Sequence, residues 1–520
     1  MFITSPEANY RNKETGRVRY TSLLGYKKDI SRICMIRRSL YFHSILVFLL
    51  LLPIGLGFAG SGYLRVISAM GLIYFFIRSI LDIKWSTTIF LFLFFLLPET
   101  WAFEFGPSLP LITLRRMFYV SLLISYLLRI KKLKNQGQFQ NSFRFSAYFL
   151  ILSYAISTIF SVDLKSSLFG LLSLVIEQMF LMLIIFKVFC DKSLAKLGLT
   201  AILISLLILC FFANVQLLSK TNHFTDVSLG SVSPRVYWSL YEQSERLGQY
   251  GRVQSLFPHP MSFGGFLAMC FPIIVGFLLT EKKILMRLWL SLFLVLCVEG
   301  VLISLARSSV ITLVSGIIVM LILMFINDRT DMAIYIIFLT ISLFIVVLLY
   351  EPSRQMLYSS LKFWEQPDYI EGSSLNGRIS LVKNSIYYIK FKPLIGYGTA
   401  AGANFIMSIN FAPEIFGGIE NFWVRVILDN GIIGLLAMIL FLLHGLMMLW
   451  KANSTNRNRD ESYLSAAGIS SFISFLVFAT ATGTLGLFNF VFILLPLIIR
   501  YCYDKKRINK IQSEFSGQEC

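Results

Sequence analysis

The sequence predicts an all-α, polytopic integral membrane protein of about fourteen transmembrane helices, with both termini cytoplasmic and two large extracytoplasmic loops. Three observations lead there. Hydrophobic residues make up 56% of the 520 positions, and mean hydropathy is +0.71. Apolar runs of roughly 17–25 residues, the length that crosses a hydrocarbon core, recur along nearly the whole chain. Lys and Arg collect in every second connection between those runs. A soluble core has no use for so many segments that are apolar all round, whereas helices satisfy their own backbone hydrogen bonds and can sit in lipid.

Taken in order, residues 1–39 form a basic cytoplasmic tail carrying Arg11, Lys13, Arg17, Arg19, Lys27, Lys28, Arg32, Arg37 and Arg38. Residues 40–218 hold spans at 40–58, 63–81, 87–103, 109–128, 145–161, 167–188 and 195–218. A polar loop, 219–258, follows. Residues 259–350 supply spans at 259–279, 286–304, 308–326 and 333–350. The longest hydrophilic stretch is 351–423, a large extracytoplasmic catalytic loop by this reading. The last spans, 424–449, 463–482 and 486–502, lie within 424–502, and 503–520 is a second cytoplasmic tail.

Orientation follows from charge, because basic connections stay on the cytoplasmic side. Lys84, the Arg129-to-Lys134 cluster, Lys187/Lys192/Lys196, Lys282-Lys283-Arg287, Arg329, Lys451/Arg457/Arg459 and Lys505-Lys506-Arg507 all mark one side. The net charge of +19 therefore speaks to anionic lipid at span ends, and nothing supports a nucleic-acid partner. No cleavable signal peptide is expected, since the N-tail is long and polar. Cys34, Cys190, Cys502 and Cys520 fall on the cytoplasmic side and Cys210, Cys270 and Cys297 inside spans, so no outer disulfide is expected. With no CxxC pair and only four His, no protein metal site and no cofactor are expected.

Ionisable residues inside the membrane are costly unless paired or wet, so each asks for a role. Glu177, within the sixth span, reads either as a carboxyl hydrogen-bonded to a neighbouring helix or as the partner of a catalytic arginine. Glu299 and Arg307 bracket one outer turn; they pair with each other, or Arg307 meets an anionic ligand. Arg115 and Arg116, near the outer end of the fourth span, snorkel to lipid phosphate or bind substrate. In the outer loops Arg235, Arg246, Arg252, Arg354 and Arg378 stand among Tyr237, Trp238, Tyr241, Tyr250, Phe363, Trp364 and Tyr369. Guanidinium groups hold phosphate bidentately and aromatic faces pack on sugar rings, so the mixture suits a phosphorylated glycan. His259, between Pro258 and Pro260, is structural or titratable at the interface. Glu420 opens the helix that begins near Asn421, as its cap or as a general base.

Four motifs in order then carry a resemblance: Arg252 through Phe257-Pro258-His259-Pro260-Met261-Ser262-Phe263-Gly264; Ser304-Leu305-Ala306-Arg307-Ser308; Asn376-Gly377-Arg378 leading to Lys392-Pro393-Leu394-Ile395-Gly396-Tyr397-Gly398; and Glu420-Asn421 leading to Asp429-Asn430-Gly431-Ile432-Ile433-Gly434. Over about Arg252 to Leu443 the chain resembles the O-antigen ligase/polymerase superfamily. Ligases of that superfamily carry a His where this chain has Glu420, so it looks like the polysaccharide-polymerase (Wzy-like) branch. The resemblance implies metal-independent glycosyl transfer outside the plasma (inner) membrane. A growing O-antigen, exopolysaccharide or capsule glycan would leave undecaprenyl diphosphate for the hydroxyl of a lipid-linked repeat unit. Catalysis would then fall to Arg378, Arg307 and Arg252 as a diphosphate clamp and to Glu420 as base, with His259 in reserve. Substrate contacts would come from Arg246, Arg235, Arg354, Asn421, Arg116 and Trp364. Membrane lipid, a chain-length regulator and a flippase of the same pathway are the implied partners. A ligase, or a transporter or flippase, is the alternative; carriers place their ionisable residues at the bilayer midplane, where this chain has few.

Overall fold

The computed structural model describes residues 33–103, 112–133, 141–225, 227, 229, 252–327, 329–349, 351, 354, 382–402, 405, 421–455, 459–483 and 487–502. In chain order its principal helices are α1 (Ile33–Gly55), α2 (Ser61–Leu81), α3 (Ile83–Phe94), α4 (Leu114–Leu128), α5 (Asn141–Ile159), α6 (Leu164–Val188) and α7 (Lys192–Ser219). They continue with α8 (Pro260–Thr280), α9 (Ile284–Ile303), α10 (Arg307–Ile326), α11 (Thr330–Leu349), α12 (Phe422–Thr455), α13 (Arg459–Thr482) and α14 (Phe488–Cys502). Each predicted span overlaps one of these helices, 87–103 and 109–128 only in part. Among the described residues, nine helices are long and apolar enough to cross a membrane. The other five, α3, α4, α5, α11 and α14, are not among the nine, so length and composition alone do not reach the expected fourteen.

The helices start where polar caps put them. Asp82 accepts from Lys84 N at 3.0 Å to open α3, Thr113 from Arg116 N at 3.2 Å to open α4, and Asp191 from Leu194 N at 2.9 Å to open α7. The core is built around α8, which packs against α9, α10 and α13 and buries almost every side chain from Pro260 to Leu278. Its small residues allow the close approach that substitutes for a hydrophobic drive within lipid. A Cβ added at Gly264 would lie 2.4 Å from Ser304 Oγ and 2.7 Å from Ser309 Oγ. α5 packs on α12 and α14 on α7, which joins the N-terminal and C-terminal halves. By contrast α2 exposes Met70, Ile73 and Ile77, a face suited to lipid.

Three features depart from the expectation of uniform spans. The segment 87–103 is not one helix: α3 ends at Phe94, a turn containing Pro98 follows, and Ala102–Phe103 pairs antiparallel with Ile112–Thr113 as a two-stranded ribbon. Pro98 has no N–H to continue the helical ladder. α6 carries a π-helical stretch, Ser173–Phe180, in its middle. α12 is broken at Gly431, where φ is 65° and ψ is −170°.

The two ends of the bundle differ in chemistry. At one end Lys192 pairs with Glu461 at 2.6 Å and lies over the Tyr501 ring, and Asn327 bonds Asn453 at 3.3 Å. The opposite end gathers the N-termini of α4, α8, α10, α12 and α14, through the contacts described next.

Candidate active site

The ledge leading into α8 is held from both sides. From α7, the buried Gln216 accepts from Gln254 N and Ser255 N at 3.2 and 2.8 Å, and Ser255 Oγ donates to Leu209 O at 2.8 Å. From the α9–α10 turn, Ile303 O accepts from Val253 N at 3.1 Å and Ser304 O from Arg252 Nε at 3.3 Å. Ser255 and Leu305, one on each side of this contact, have φ of 51° and 47°, a left-handed conformation that a side chain enters at a cost. The sequence therefore fixes Arg252 beside the start of α10 by a strained but well-bonded turn.

His259 precedes α8 as its N-cap. Its Nδ1 accepts from Met261 N at 3.1 Å, with Pro260 at the first helical position. Burial first, and the Arg252 guanidinium second, lower its pKa to about 4. The cap needs an unprotonated Nδ1, so the neutral ring carries its proton on Nε2 and presents a donor there.

Arg307 is the first residue of α10, whose N-cap, Ala306, offers no side chain. A cation at that end opposes the helix macrodipole by roughly 0.3–1 kcal/mol. It also adds its positive charge to the positive end of the helix dipole, an arrangement that favours an anion. Ser309 Oγ donates to Met261 O at 3.4 Å, which ties the starts of α10 and α8 together. Glu299, the other sequence candidate for pairing with Arg307, lies near Cys210 of α7 instead. Among the described residues no ion pair joins Glu299 to Arg307.

The chain re-enters the bundle at Asn421. Its Oδ1 accepts from Trp423 N and Val424 N, both at 3.1 Å, so Asn421 is the cap of α12. Its Nδ2 donates to Thr480 O at 3.0 Å, and Trp423 Nε1 to Thr480 Oγ1 at 2.8 Å. Phe478, nearby on α13, is the side chain a Cβ at Gly265 of α8 would strike. Asn421 thus enters at the same end as His259 and Arg307.

The Pro393-to-Gly398 and Asp429-to-Gly431 motifs turn out to pair with each other. Ile432 N donates to Pro393 O at 2.8 Å, Tyr397 N to Leu428 O and Gly398 N to Asp429 O, both at 2.9 Å. The break in α12 frees the carbonyls and amides that this docking uses. Ser157 Oγ of α5 adds a bond to Asp429 O at 2.7 Å, and Thr399 Oγ1 donates to Asn430 Oδ1 at 2.7 Å. These residues position backbone; Asp429 itself faces Arg425 at 3.6 Å.

Arg116 lies in a separate cavity of about 260 Å³ between α3, α4, α6 and α14. Its Nε meets Glu177 Oε1 at 2.7 Å and its Nη2 meets Oε2 at 3.4 Å, while Ser173 Oγ donates to the same Oε2 at 3.2 Å. Glu177 is therefore paired with an arginine of a neighbouring helix. It sits on the π-helical stretch, a distortion often found at functional sites. Tyr119, one turn along α4, donates to Ile176 O of that stretch. Arg115 pairs with Glu99 at 3.4 Å, donates to Leu97 O at 3.0 Å and lies 4.6 Å over Phe94. The Pro98–Glu99–Thr100 turn in turn lines a small void with Phe257 and Pro258, and Phe95 stacks on Phe266 of α8 at 4.3 Å. The Arg116 cavity and the His259 ledge are thus neighbours.

Arg354, an expected substrate contact, forms an exposed pair with Glu351 at 3.6 Å. Glu420, Arg378, Arg235, Arg246 and Trp364 lie outside the described residues. Among the described residues no group of three His, Cys, Asp or Glu side chains converges as a metal site. Sequence reasoning overlooked Glu99 and Asn489, which line the Arg116 cavity. Asn489 was detectable as a lone amide inside the apolar run Leu487-Phe488-Asn489-Phe490.

No curated protein matches the chain. Residues 292–439, from within α9 to beyond the break in α12, match the family model described as O-antigen ligase.

Proposed function

We propose that this multi-pass membrane protein is a polysaccharide polymerase. It takes a growing glycan from undecaprenyl diphosphate and passes it to a sugar hydroxyl of a lipid-linked repeat unit, at the outer face of the bacterial plasma membrane. The observation that carries this reading is the corner made by Arg252, His259 and Arg307 at the joined starts of α8 and α10. Negative charge grows on the diphosphate as the glycosidic bond breaks, and fixed guanidinium groups are worth most where charge develops. Arg252 and Arg307 fill that role here, with Arg378 completing the clamp and neutral His259 donating through Nε2. Glu420 is the general base for the attacking hydroxyl. Capping of α12 is carried by Asn421, so the neighbouring carboxylate is not required for it.

A ligase is the second reading, favoured by the description of the matching family. Bond breaking and clamp are the same in both; the acceptor differs. The acidic residue at 420, in place of the histidine of ligases, favours the polymerase. Deleting the gene and resolving surface and carrier-linked polysaccharide on a gel separates the readings. Single repeat units without long chains are the expected result. Full-length polymer stranded on the carrier would make the chain a ligase, and an unchanged profile would turn the question to transport.

A further inference from the structure

We propose that the cavity between α3, α4, the π-helical stretch of α6 and α14 is a saccharide subsite that takes an uncharged sugar of the lipid-linked substrate, held by Asn489, Glu177 and Arg116. The proposal rests on the glycan-transfer reading above and assigns this pocket a ligand distinct from the diphosphate.

Four observations converge on it. First, the charges balance: the Arg115 guanidinium holds Glu99 at 3.4 Å and the Arg116 guanidinium holds Glu177 at 2.7 Å. An anion entering here would have to displace a carboxylate from each arginine, whereas a polyol needs no counter-charge. Its hydroxyls donate to carboxylate oxygens and accept from guanidinium N–H groups, both of which the pocket already orients. Second, Oδ1 of Asn489 is buried with no hydrogen-bond partner among the described residues. A buried acceptor of that kind is costly unless something donates to it, and a sugar hydroxyl does. Third, Phe90 and Phe94 supply apolar ring surface in the same wall, next to polar side chains, a pairing that suits the two-faced surface of a pyranose. Fourth, the size fits: about 260 Å³ is just under the ~300–1,000 Å³ of sites for drug-sized ligands, the scale of one sugar ring with part of its neighbour.

The placement is consistent with that role. The Pro98–Thr100 turn lies between this cavity and the Phe257–Pro258 end of the ledge that carries Arg252 and His259. A chain of sugars leaving the diphosphate corner meets this pocket next. The π-helical stretch puts Glu177 where Arg116 can grip both its oxygens, so the carboxylate is rigid before the sugar arrives.

The test uses the full-length protein in lipid nanodiscs and two probes: oligosaccharide released by mild acid from the cells' own lipid carrier, and inorganic diphosphate. Wild type is expected to gain thermal stability with each probe. Asn489→Leu leaves both ion pairs in place and is expected to weaken saccharide binding about tenfold, the worth of one buried hydrogen bond, with diphosphate binding unchanged. Glu177→Gln is expected to weaken saccharide binding as well while freeing Arg116 to hold diphosphate at least as well, and its unliganded melting temperature reports separately on folding. Saccharide binding that is absent in wild type, or undiminished in Asn489→Leu, overturns the proposal. So does a loss of diphosphate binding in either variant, which would make the pocket an anion site. Saccharide binding lost in Asn489→Leu together with an unchanged polysaccharide profile on gene deletion would retain the subsite and reject the transfer reaction.

Discussion

At residue 259 one imidazole serves two demands that act together. The cap on α8 requires an unprotonated Nδ1, and burial beside Arg252 lowers the pKa from 6.5 to about 4. Between those values the unfolded chain binds the proton and the folded chain does not, so stability falls as pH drops through that window and the contribution is fully lost below about 4. His259→Asn keeps a capping oxygen and cannot titrate. Its melting temperature in detergent should decline less than that of wild type between pH 6.5 and 4; parallel declines would place the acid sensitivity elsewhere. Arg307 makes a different prediction. Arg307→Lys keeps the charge but loses the planar fork, so polymer formation should drop about ten- to hundredfold, and Arg307→Ala further, at equal membrane abundance. Full activity in Arg307→Ala would remove it from the clamp.

Among elements, α12 shows how a motif can look chemical and act through backbone. Gly431 adopts φ 65° and ψ −170°, and a Cβ there would sit 2.2 Å from Leu394 O. Only glycine enters that region readily. Gly431→Ala should therefore collapse the yield of monodisperse protein, because Ile432 and Ile433 lose their bonds to Pro393 and Leu394. Gly60→Ala, with nothing within 4 Å of the added carbon, is the matched control and should behave as wild type. Equal yields would mean that the docked loop contributes little to folding. The sequence pattern Asp429-Asn430-Gly431 was legible as special, but its partner, the Pro393-to-Gly398 segment, is set by tertiary pairing and not by spacing.

For the whole molecule, the basic end and the end carrying the candidate site should face opposite sides of the membrane, because short connections rich in Lys and Arg are retained in the cytoplasm. In a background with the native cysteines replaced by serine, Ser219→Cys is expected to react with a membrane-impermeant maleimide in intact cells. Ser454→Cys, at the other end, should react only after permeabilisation; both positions are exposed. The reverse pattern would invert the topology and put the site in the cytoplasm. The helical character and most of the long apolar runs were readable in advance, since apolar length is a one-dimensional property of a chain in lipid, whereas nine helices among the described residues, not fourteen, are long and apolar enough to span. Where helices stop short was less readable. α3 ends at Phe94 although its apolar run goes on, because Pro98 and the ribbon at Ala102–Phe103 terminate it.

The sequence by itself determined the helical membrane class of the molecule and where its basic residues cluster, and it singled out Arg252, His259, Arg307 and Glu177 as candidates. Composition and charge decide these before any contact forms. Tertiary structure alone decided which of these residues meet. Gln216, 38 positions before Gln254, holds the ledge, and Arg116 finds Glu177 61 positions away across a π-helical distortion. It also decided that Asn421 is the cap and that Asn489 faces a cavity. Such pairings depend on the packing of helices distant in sequence, and a one-dimensional pattern carries no signal for them.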